Sequence, residues 1–270
     1  MLKLRIVTAC ILGCVLFAGL FLLKPDWTAF GFGAVLTAGA WEWAGFGGLQ
    51  SRAARAAYAA AIAVLLTLSW RWTEEPPHLL TLLVLACAWW VAAFLWLVFA
   101  PVKHQPRLAL LCGIPVLVPA FVALARLDRA SRGPIRGPEI VLWLVFLVVA
   151  ADIGAYFVGR SLGKRKLAPQ VSPGKTWEGA VGGLVTVALV AWGGAVYFGL
   201  PAGVCVPFGC AVGVFSVIGD LTESMFKRSA GLKDSGVLLP GHGGILDRID
   251  SVTAAAPLYA LGLCGSAVIV

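Results

Sequence analysis

The chain contains 270 residues, of which 60% are hydrophobic and only 13% are charged, and its mean hydropathy is +0.91. No soluble core of this length could bury so much apolar surface, whereas about 20 apolar residues cross a bilayer as a helix. The composition therefore predicts an all-α, polytopic integral membrane protein. The net charge of +8 does not indicate nucleic acid, because the cations lie in short loops beside apolar stretches, where anionic lipids and phosphorylated substrates are favoured.

Taken in chain order, the apolar stretches predict about nine transmembrane helices. They cover residues 4–23, 27–49, 54–70, 79–100, 108–125, 139–159, 178–199, 201–226 and 249–270. The first stretch is too long for a signal peptide and is followed by Lys24, so we interpret it as a span. Residues 1–270 are predicted to form a single membrane domain. In it, residues 1–138 supply mainly lipid-embedded helices, and residues 139–270 supply the helices and cytoplasmic loops that carry the polar chemistry.

The distribution of Lys and Arg predicts the orientation of these spans. With nine spans, the N-terminus and the connections after spans two, four, six and eight share one face of the membrane. That face carries 15 of the 21 Lys and Arg residues: Lys3, Arg5, Arg52, Arg55, Lys103, Arg107, Arg160, Lys164, Arg165, Lys166, Lys175, Lys227, Arg228, Lys233 and Arg248. The positive-inside bias makes it the cytoplasmic face. The loop that contains Arg126, Arg129, Arg132 and Arg136 disagrees, because it falls on the outer face.

One acidic residue interrupts the N-terminal apolar half. Glu42 lies inside the second predicted span, between Trp41 and Trp43. A carboxylate at membrane depth usually faces a cavity or a partner. A position near the lipid headgroups would also account for it, and the sequence leaves both interpretations open.

The first polar cluster runs from residue 152 to residue 179. Asp152 and Tyr156 are separated by one helical turn and therefore share a face of span six. A run of cations follows, comprising Arg160, Lys164, Arg165, Lys166 and Lys175. It is typical either of a cytoplasmic anchor or of a phosphate-binding loop.

The tripeptide Gly174-Lys175-Thr176 resembles the end of a P-loop. A P-loop would need glycine where Pro169 stands, and no preceding strand is predicted. We expect instead a Ser-Pro turn that brings Lys175 and Thr176 to the start of span seven, where a helix N-terminus favours anions.

The second polar cluster joins the last two predicted spans. Asp220, Glu223, Ser224 and Lys227 share one stripe of the helix that ends span eight, and Asp247, Asp250 and Ser251 repeat this spacing at the start of span nine. Carboxylate oxygens aimed at one point from two helix ends suit Mg²⁺, which usually takes one or two carboxylates plus water and phosphate. A structural network of salt bridges with Lys227, Arg228 and Arg248 is the alternative. His242 lies among glycines and is compatible with a substrate contact or with a turn.

These residues resemble a known enzyme family. Residues 224–250 read SMFKRSAGLKDSGVLLPGHGGILDRID. They are similar to the signature of the phosphatidate cytidylyltransferases, also called CDP-diacylglycerol synthases, at Ser224, Lys227, Arg228, Lys233, Asp234, Gly236, Pro240, His242, Gly243, Gly244, Asp247, Arg248 and Asp250. The family's second block is resembled by Asp152, Ala155, Tyr156, Gly159, Arg160, Ser172, Pro173, Lys175, Thr176, Glu178 and Gly179. One departure is Gly174, where relatives commonly have Lys.

The resemblance implies the reaction of CTP with phosphatidate to give CDP-diacylglycerol and pyrophosphate, with Mg²⁺, at the cytoplasmic face of a bacterial inner membrane. Expected catalytic residues are Asp220, Asp247, Lys227, Arg228, Lys233, Asp234, Arg248 and Asp250. Expected substrate contacts are Asp152, Tyr156, Arg160, Ser172, Lys175, Thr176, Glu178, Ser224, His242, Gly243 and Gly244. Asp220 and Asp247 are the expected metal ligands, with Glu223 and Asp250 as supporting or alternative ligands.

Two other functions and one assembly state stay open at this point. Intramembrane carboxylates are compatible with a transporter, and another phospholipid-processing transferase is possible in principle, although the Asp-Gly-x-x-Ala-Arg motif of the CDP-alcohol phosphotransferases does not occur here. The pairs Gly179/Gly183 and Gly209/Gly213 allow helices to approach closely, either within one chain or in a homodimer.

Overall fold

The computed structural model describes residues 2–101, 105–132, 135–239 and 243–264. Within these ranges the fold consists of helices joined by short connections. They are α1 (Leu2–Leu22), α2 (Pro25–Phe46), α3 (Arg52–Trp72), α4 (Pro76–Phe99), α5 (Pro106–Arg129), α6 (Gly137–Leu162), α7 (Trp177–Phe198), α8 (Ala202–Ser229) and α9 (Leu246–Cys264).

Each predicted span overlaps one of these helices, although residues 265–270 of the last span lie outside the described residues. In the described part of the chain, six of them (α3 to α8) are long and apolar enough to cross a membrane. In α1, the apolar segment Val7–Leu22 is shorter than the six helices named above. The α2 helix contains Asp26 and Glu42, and the first turns of α9 contain Asp247, Arg248 and Asp250. The chain is therefore a multi-pass helical membrane protein, and the number of nine spans is not confirmed.

Two short β-hairpins connect helices of this all-α fold, and they leave the predicted fold class unchanged. The strand β1 (Ser131–Arg132) pairs antiparallel with β2 (Ile135–Arg136), and β3 (Lys166–Ala168) pairs antiparallel with β4 (Ser172–Thr176). The expectation that no strand precedes Gly174 was wrong, since β3 does and Gly174 itself lies in β4. The β3–β4 hairpin is the element that carries Lys175.

Three of the four arginines that disagreed with the charge bias are paired within the protein, and the side chain of Arg132 lies outside the described residues. Arg129 forms an ion pair with Asp26 at the start of α2, and Arg136 lies 3.2 Å from Glu139. Arg126 donates a hydrogen bond to the carbonyl of Trp70 at 3.2 Å, and its guanidinium lies 4.3 Å from the centre of that indole ring. Because these arginines have protein partners, they are weaker evidence about membrane orientation than free loop cations.

The polar half of the chain, from residue 139 onward, is held together by close approach of α6, α7, α8 and α9. A Cβ atom on Gly183 of α7 would lie 2.7 Å from the carbonyl oxygen of Ala151 in α6, and one on Gly219 of α8 would lie 2.6 Å from that of Asp250 in α9. A Cβ on Gly209 would lie 2.6 Å from Ala191, also within the chain. The glycine pairs are therefore used for packing inside one chain, and a homodimer stays a prediction.

Replacing Gly183 with alanine should destabilise the protein, because the new methyl group must displace the backbone of α6. We expect a loss of about 1–3 kcal/mol, as for overpacked cores. The thermal unfolding midpoint of detergent-solubilised protein measures it.

Gly193→Ala on the same helix is the matched control, since no heavy atom lies within 4 Å of its added Cβ. Equal midpoints for the two variants would contradict this account of the packing of α6 and α7.

Candidate active site

A cavity of about 440 Å³ lies where α6, the β3–β4 hairpin, α7 and α8 meet. It is lined by residues from both halves of the first polar cluster and by one residue of α8: Asp152, Ala155, Tyr156, Gly159, Arg160, Leu167, Ser172, Gly174, Lys175, Thr176, Gly179, Ala180 and Val217. Of the predicted substrate contacts, Asp152, Tyr156, Arg160, Ser172, Lys175 and Thr176 thus share one cavity.

The hairpin fixes the position of Lys175. Thr176 ends β4 and caps α7, because its hydroxyl accepts a hydrogen bond from the backbone N–H of Gly179 at 3.1 Å. Lys175 precedes this cap, and its Nζ lies 2.6 Å from Oδ2 of Asp220 on α8. This ion pair brings the first and second polar clusters together.

Glu178 lies outside this cavity and lines a neighbouring one, and its role as a substrate contact stays a prediction. Its carboxylate accepts hydrogen bonds from the backbone N–H groups of Lys164 and Arg165, each at 3.1 Å. Glu178 therefore holds the start of the basic loop in place. The phenol of Tyr156 accepts a hydrogen bond from Arg160 Nη1 at 2.7 Å, so these two side chains face the cavity as a pair.

Three aspartates form an acidic group beside Lys175. Asp152 on α6, Asp220 on α8 and Asp250 on α9 interact electrostatically with one another, and Arg248 acts on Asp152. Ser224 donates its hydroxyl to Oδ1 of Asp220 at 3.3 Å. The predicted stripe on α8 thus does meet the start of α9.

A second acidic group is organised by Lys227. Its Nζ lies 2.6 Å from Oδ1 of Asp247 on α9 and 3.1 Å from Oε1 of Glu223 on its own helix. The side chains are nearly sealed from solvent, with exposed fractions of 10% for Lys227, 8% for Asp247 and 3% for Glu223. Within the described residues, the Glu223 oxygens have this ion pair but no well-formed hydrogen bond.

Asp247 is also bonded to the loop that precedes its helix. Oδ2 accepts hydrogen bonds from the backbone N–H of Gly244 at 2.9 Å and of Ser235 at 3.0 Å. Burial alone raises the pKa of this carboxyl, but the bonds from Lys227, Gly244 and Ser235 outweigh it and hold the pKa below its usual range. Asp247 precedes the predicted span 249–270 and is held as a carboxylate.

The remaining predicted residues are more peripheral. Arg228 donates to the carbonyls of Val171 and Leu232, so it ties the hairpin to the loop after α8. Lys233 and Asp234 are exposed. Gly243 has φ of +82°, which favours glycine, and its Cβ position lies 3.0 Å from Oδ2 of Asp247. His242 lies outside the described residues.

The donor chemistry fits a hard divalent cation, although the protein alone does not form a cage for one. No three His, Cys, Asp or Glu residues among those described gather closely enough to hold an ion. Mg²⁺ usually takes only one or two carboxylates and completes its shell with water and phosphate. The buried Glu223 oxygens have no hydrogen bond and lie near Asp247, and carboxylate oxygens are the type of ligand that such a cation binds.

Sequence reasoning left the role of Glu42 open, and the structure gives it partners. Its buried carboxylate accepts hydrogen bonds from Ser235, Ile245 and Leu246. A carboxylate at membrane depth was the signal for a partner, but the partners lie about 200 positions away in the chain. Ser235 was not predicted at all.

The fold and the site define a class: helical membrane proteins with a cavity between their helices that is lined by charged side chains. The sequence model described as the cytidylyltransferase family matches residues 3–264, so the chain belongs to that family. It is 44% identical over 269 residues to the phosphatidate cytidylyltransferase of Pseudomonas aeruginosa, covering 96% of each chain. It is 40% identical over 284 residues to that of Haemophilus influenzae, covering 96% of this chain and 97% of the relative.

A more distant relative has the same name. The phosphatidate cytidylyltransferase of Bacillus subtilis is 45% identical over 148 residues, which is 52% of this chain and 51% of the relative. The recognised family is thus confirmed, and the match extends through the N-terminal half, which in the sequence had resembled the family mainly in its hydrophobicity.

Replacing Lys227 with methionine should strongly destabilise the protein, because it leaves Glu223 and Asp247 buried without a counter-charge. Breaking a buried ion pair costs about 3–5 kcal/mol. We expect a large fall in the unfolding midpoint of purified protein.

Lys233→Met is the control, since Lys233 is exposed in the following loop and its loss should change stability by less than about 0.5 kcal/mol. If Lys227→Met melted like the control, Lys227 would not be the counter-ion of the buried carboxylates.

Proposed function

We propose that this protein transfers CMP from CTP to phosphatidate, giving CDP-diacylglycerol and pyrophosphate. The observation that carries the proposal is the ion pair between Lys175 and Asp220, which joins the basic hairpin to the acidic helix end at one cavity. Relatives that span nearly the whole chain are named for this reaction.

The chemistry asks little of a general base. The attacking group is a phosphate monoester, whose second pKa is about 6 by analogy with phosphoserine, so it is largely ionised at neutral pH. What remains is to hold two polyanions together, align the in-line attack on the α-phosphorus and neutralise charge on the leaving pyrophosphate. Lysine, arginine and carboxylate-bound metal are suited to these tasks.

The cavity residues divide this work by position. Arg160 and Lys175 line the cavity and are the first phosphate contacts, and Thr176 sets the helix start behind them. Lys227, Arg228, Lys233 and Arg248 supply further positive charge around the acidic helix ends. Lys175 now neutralises Asp220, and a phosphate that takes over this lysine leaves an Asp220 oxygen available.

Mg²⁺ is the proposed cofactor, with Asp220 and Asp247 as its ligands and Glu223 and Asp250 in support. When bound, it would polarise the phosphoryl oxygens and neutralise charge on the leaving group. The support is the oxygen-only set of side chains and the ion pair of Asp220 with Lys175, which lines the cavity.

We also propose nine spans, with the N-terminus and the active site at the cytoplasmic face of a bacterial inner membrane. The support is the excess of Lys and Arg on that face, together with the ion pairs that hold the outer arginines. The transporter alternative loses its main support, because the carboxylate of Glu42 is buried and accepts hydrogen bonds from Ser235, Ile245 and Leu246.

Purified protein in detergent micelles should release pyrophosphate when given CTP, phosphatidate and Mg²⁺. Lys175→Met should lower kcat/KM by about 10²–10³-fold, the range for losing one charge-stabilising donor. Lys164→Met, in the same basic loop but outside the cavity, is the control and should retain most of the activity. Wild-type protein that releases no pyrophosphate would rule out the proposed function.

Asp247→Asn should lower activity at least tenfold and shift the Mg²⁺ dependence to higher concentration, because the ligand loses its charge. Titration of pyrophosphate release with MgCl₂ measures both effects. Asp26→Asn is the control, since Asp26 pairs with Arg129 away from the cavity. Full activity with an unchanged Mg²⁺ titration in Asp247→Asn would remove Asp247 from the metal ligands.

A further inference from the structure

Glu42 is a buried carboxylate on α2 that no step of the proposed reaction uses. Only 2% of the surface of Glu42 is exposed. Oε1 accepts a hydrogen bond from the backbone N–H of Ile245 at 3.1 Å. Oε2 accepts one from the Ser235 hydroxyl at 3.1 Å and one from the backbone N–H of Leu246 at 2.8 Å. Every one of these partners donates, so the side chain acts purely as an acceptor.

The segment that Glu42 holds is the one that positions Asp247. Ser235 donates its hydroxyl to Glu42 and its backbone N–H to Asp247. At the start of α9, Gly244 donates its N–H to Asp247, whereas Ile245 and Leu246 donate theirs to Glu42. Two carboxylates from different elements thus share the N–H groups of one short loop and one helix start, groups that would otherwise lack partners.

The close approach of Glu42 also accounts for two glycines of this loop. A Cβ on Gly236 would lie 2.3 Å from Oε1 of Glu42, and one on Gly244 would lie 2.4 Å from Oε2. Both distances are shorter than any real contact, so a side chain at either position would push the loop away from the carboxylate. Gly236 and Gly244 therefore leave the space that the buried carboxylate of Glu42 occupies.

Glu42 sits on a part of α2 that is itself fixed. The neighbouring Trp43 donates its indole N–H to the carbonyl of Ala109 on α5 at 2.7 Å. Its ring lies 5.1 Å from that of Phe226 on α8, one residue before Lys227. The part of α2 that carries Glu42 is therefore held in place by contacts with α5 and α8.

We propose that Glu42 is a positioning residue for the nucleotidyl transfer: it acts through Ser235 and the start of α9 to hold Asp247, and with it Lys227, in the reactive geometry. The inference rests on the proposed function. It gives the N-terminal half of the chain a part in the reaction beyond anchoring the protein in lipid.

Glu42→Gln tests the proposal, because the amide keeps the size of the side chain but turns one acceptor into a donor that faces donors. Kinetics are measured on full-length, monodisperse protein in detergent, per folded molecule. We expect kcat to fall about 10–100-fold, as for displacement of a reactive group by a fraction of an ångström to an ångström, with KM for CTP changed less than about threefold. Glu139→Gln is the control, since Glu139 pairs with Arg136 outside the site, and it should retain wild-type kcat.

Ser235→Ala provides a milder test, because it removes only the hydroxyl that bonds Glu42. It should lower kcat in the same direction, and the double variant should be no worse than Glu42→Gln alone, because both changes break one shared contact. If Glu42→Gln does not fold, Ser235→Ala decides by itself.

Each outcome separates the two claims. Wild-type protein without turnover overturns the proposed function and this inference with it. An active wild type whose Glu42→Gln and Ser235→Ala variants keep wild-type kcat per folded molecule overturns the positioning role alone. The positioning role is also overturned if the variants lose only folded yield, or if their effects on kcat add independently.

Discussion

The charged site depends on one constraint: carboxylates at the ends of apolar helices must find their counter-charges inside the protein. Lys227 is the counter-charge of Glu223 and Asp247: its Nζ lies 3.1 Å from Oε1 of Glu223 and 2.6 Å from Oδ1 of Asp247. Because one carboxylate lies on α8 and the other on α9, the same lysine also fixes how these two helices meet. The absence of a side chain at Gly219 lets α8 and α9 come this close, since a Cβ there would lie 2.6 Å from the carbonyl oxygen of Asp250.

The second counter-charge arrives from outside the helices. Lys175 is delivered by the β3–β4 hairpin, whose end is set by the cap of Thr176 on α7. The third anchor is Glu42, which reaches the loop before α9 from α2. These contacts join four different elements, so the site is complete only when the hairpin, α2, α8 and α9 are all in place.

The parts that could be predicted are those governed by local periodicity. The spacing of Asp220, Glu223, Ser224 and Lys227 placed them on one stripe of α8, and the apolar stretches located the helices. The β3–β4 hairpin was missed because its strands are short and β4 contains Pro173 and Gly174, which are poor strand formers. The partners of Glu42 were out of reach because pairing across about 200 residues leaves no periodic trace in the sequence.

The pairing of cations with carboxylates also bears on how a polyanion could bind here. On the proposed roles of Lys175 and Lys227, a bound triphosphate would compete with Asp220 and Asp247 for these lysines, and a buried carboxylate that loses its counter-charge is costly. Phosphate binding and carboxylate neutralisation can proceed together only if another cation replaces each departing lysine. This charge balance is a second argument for the proposed divalent ion, apart from what the ion would do at the phosphorus. By the same reasoning, nucleotide and metal should bind with positive coupling. The metal neutralises the carboxylates from which the nucleotide takes the lysines, and the phosphates of the nucleotide pair with the lysines that the metal displaces.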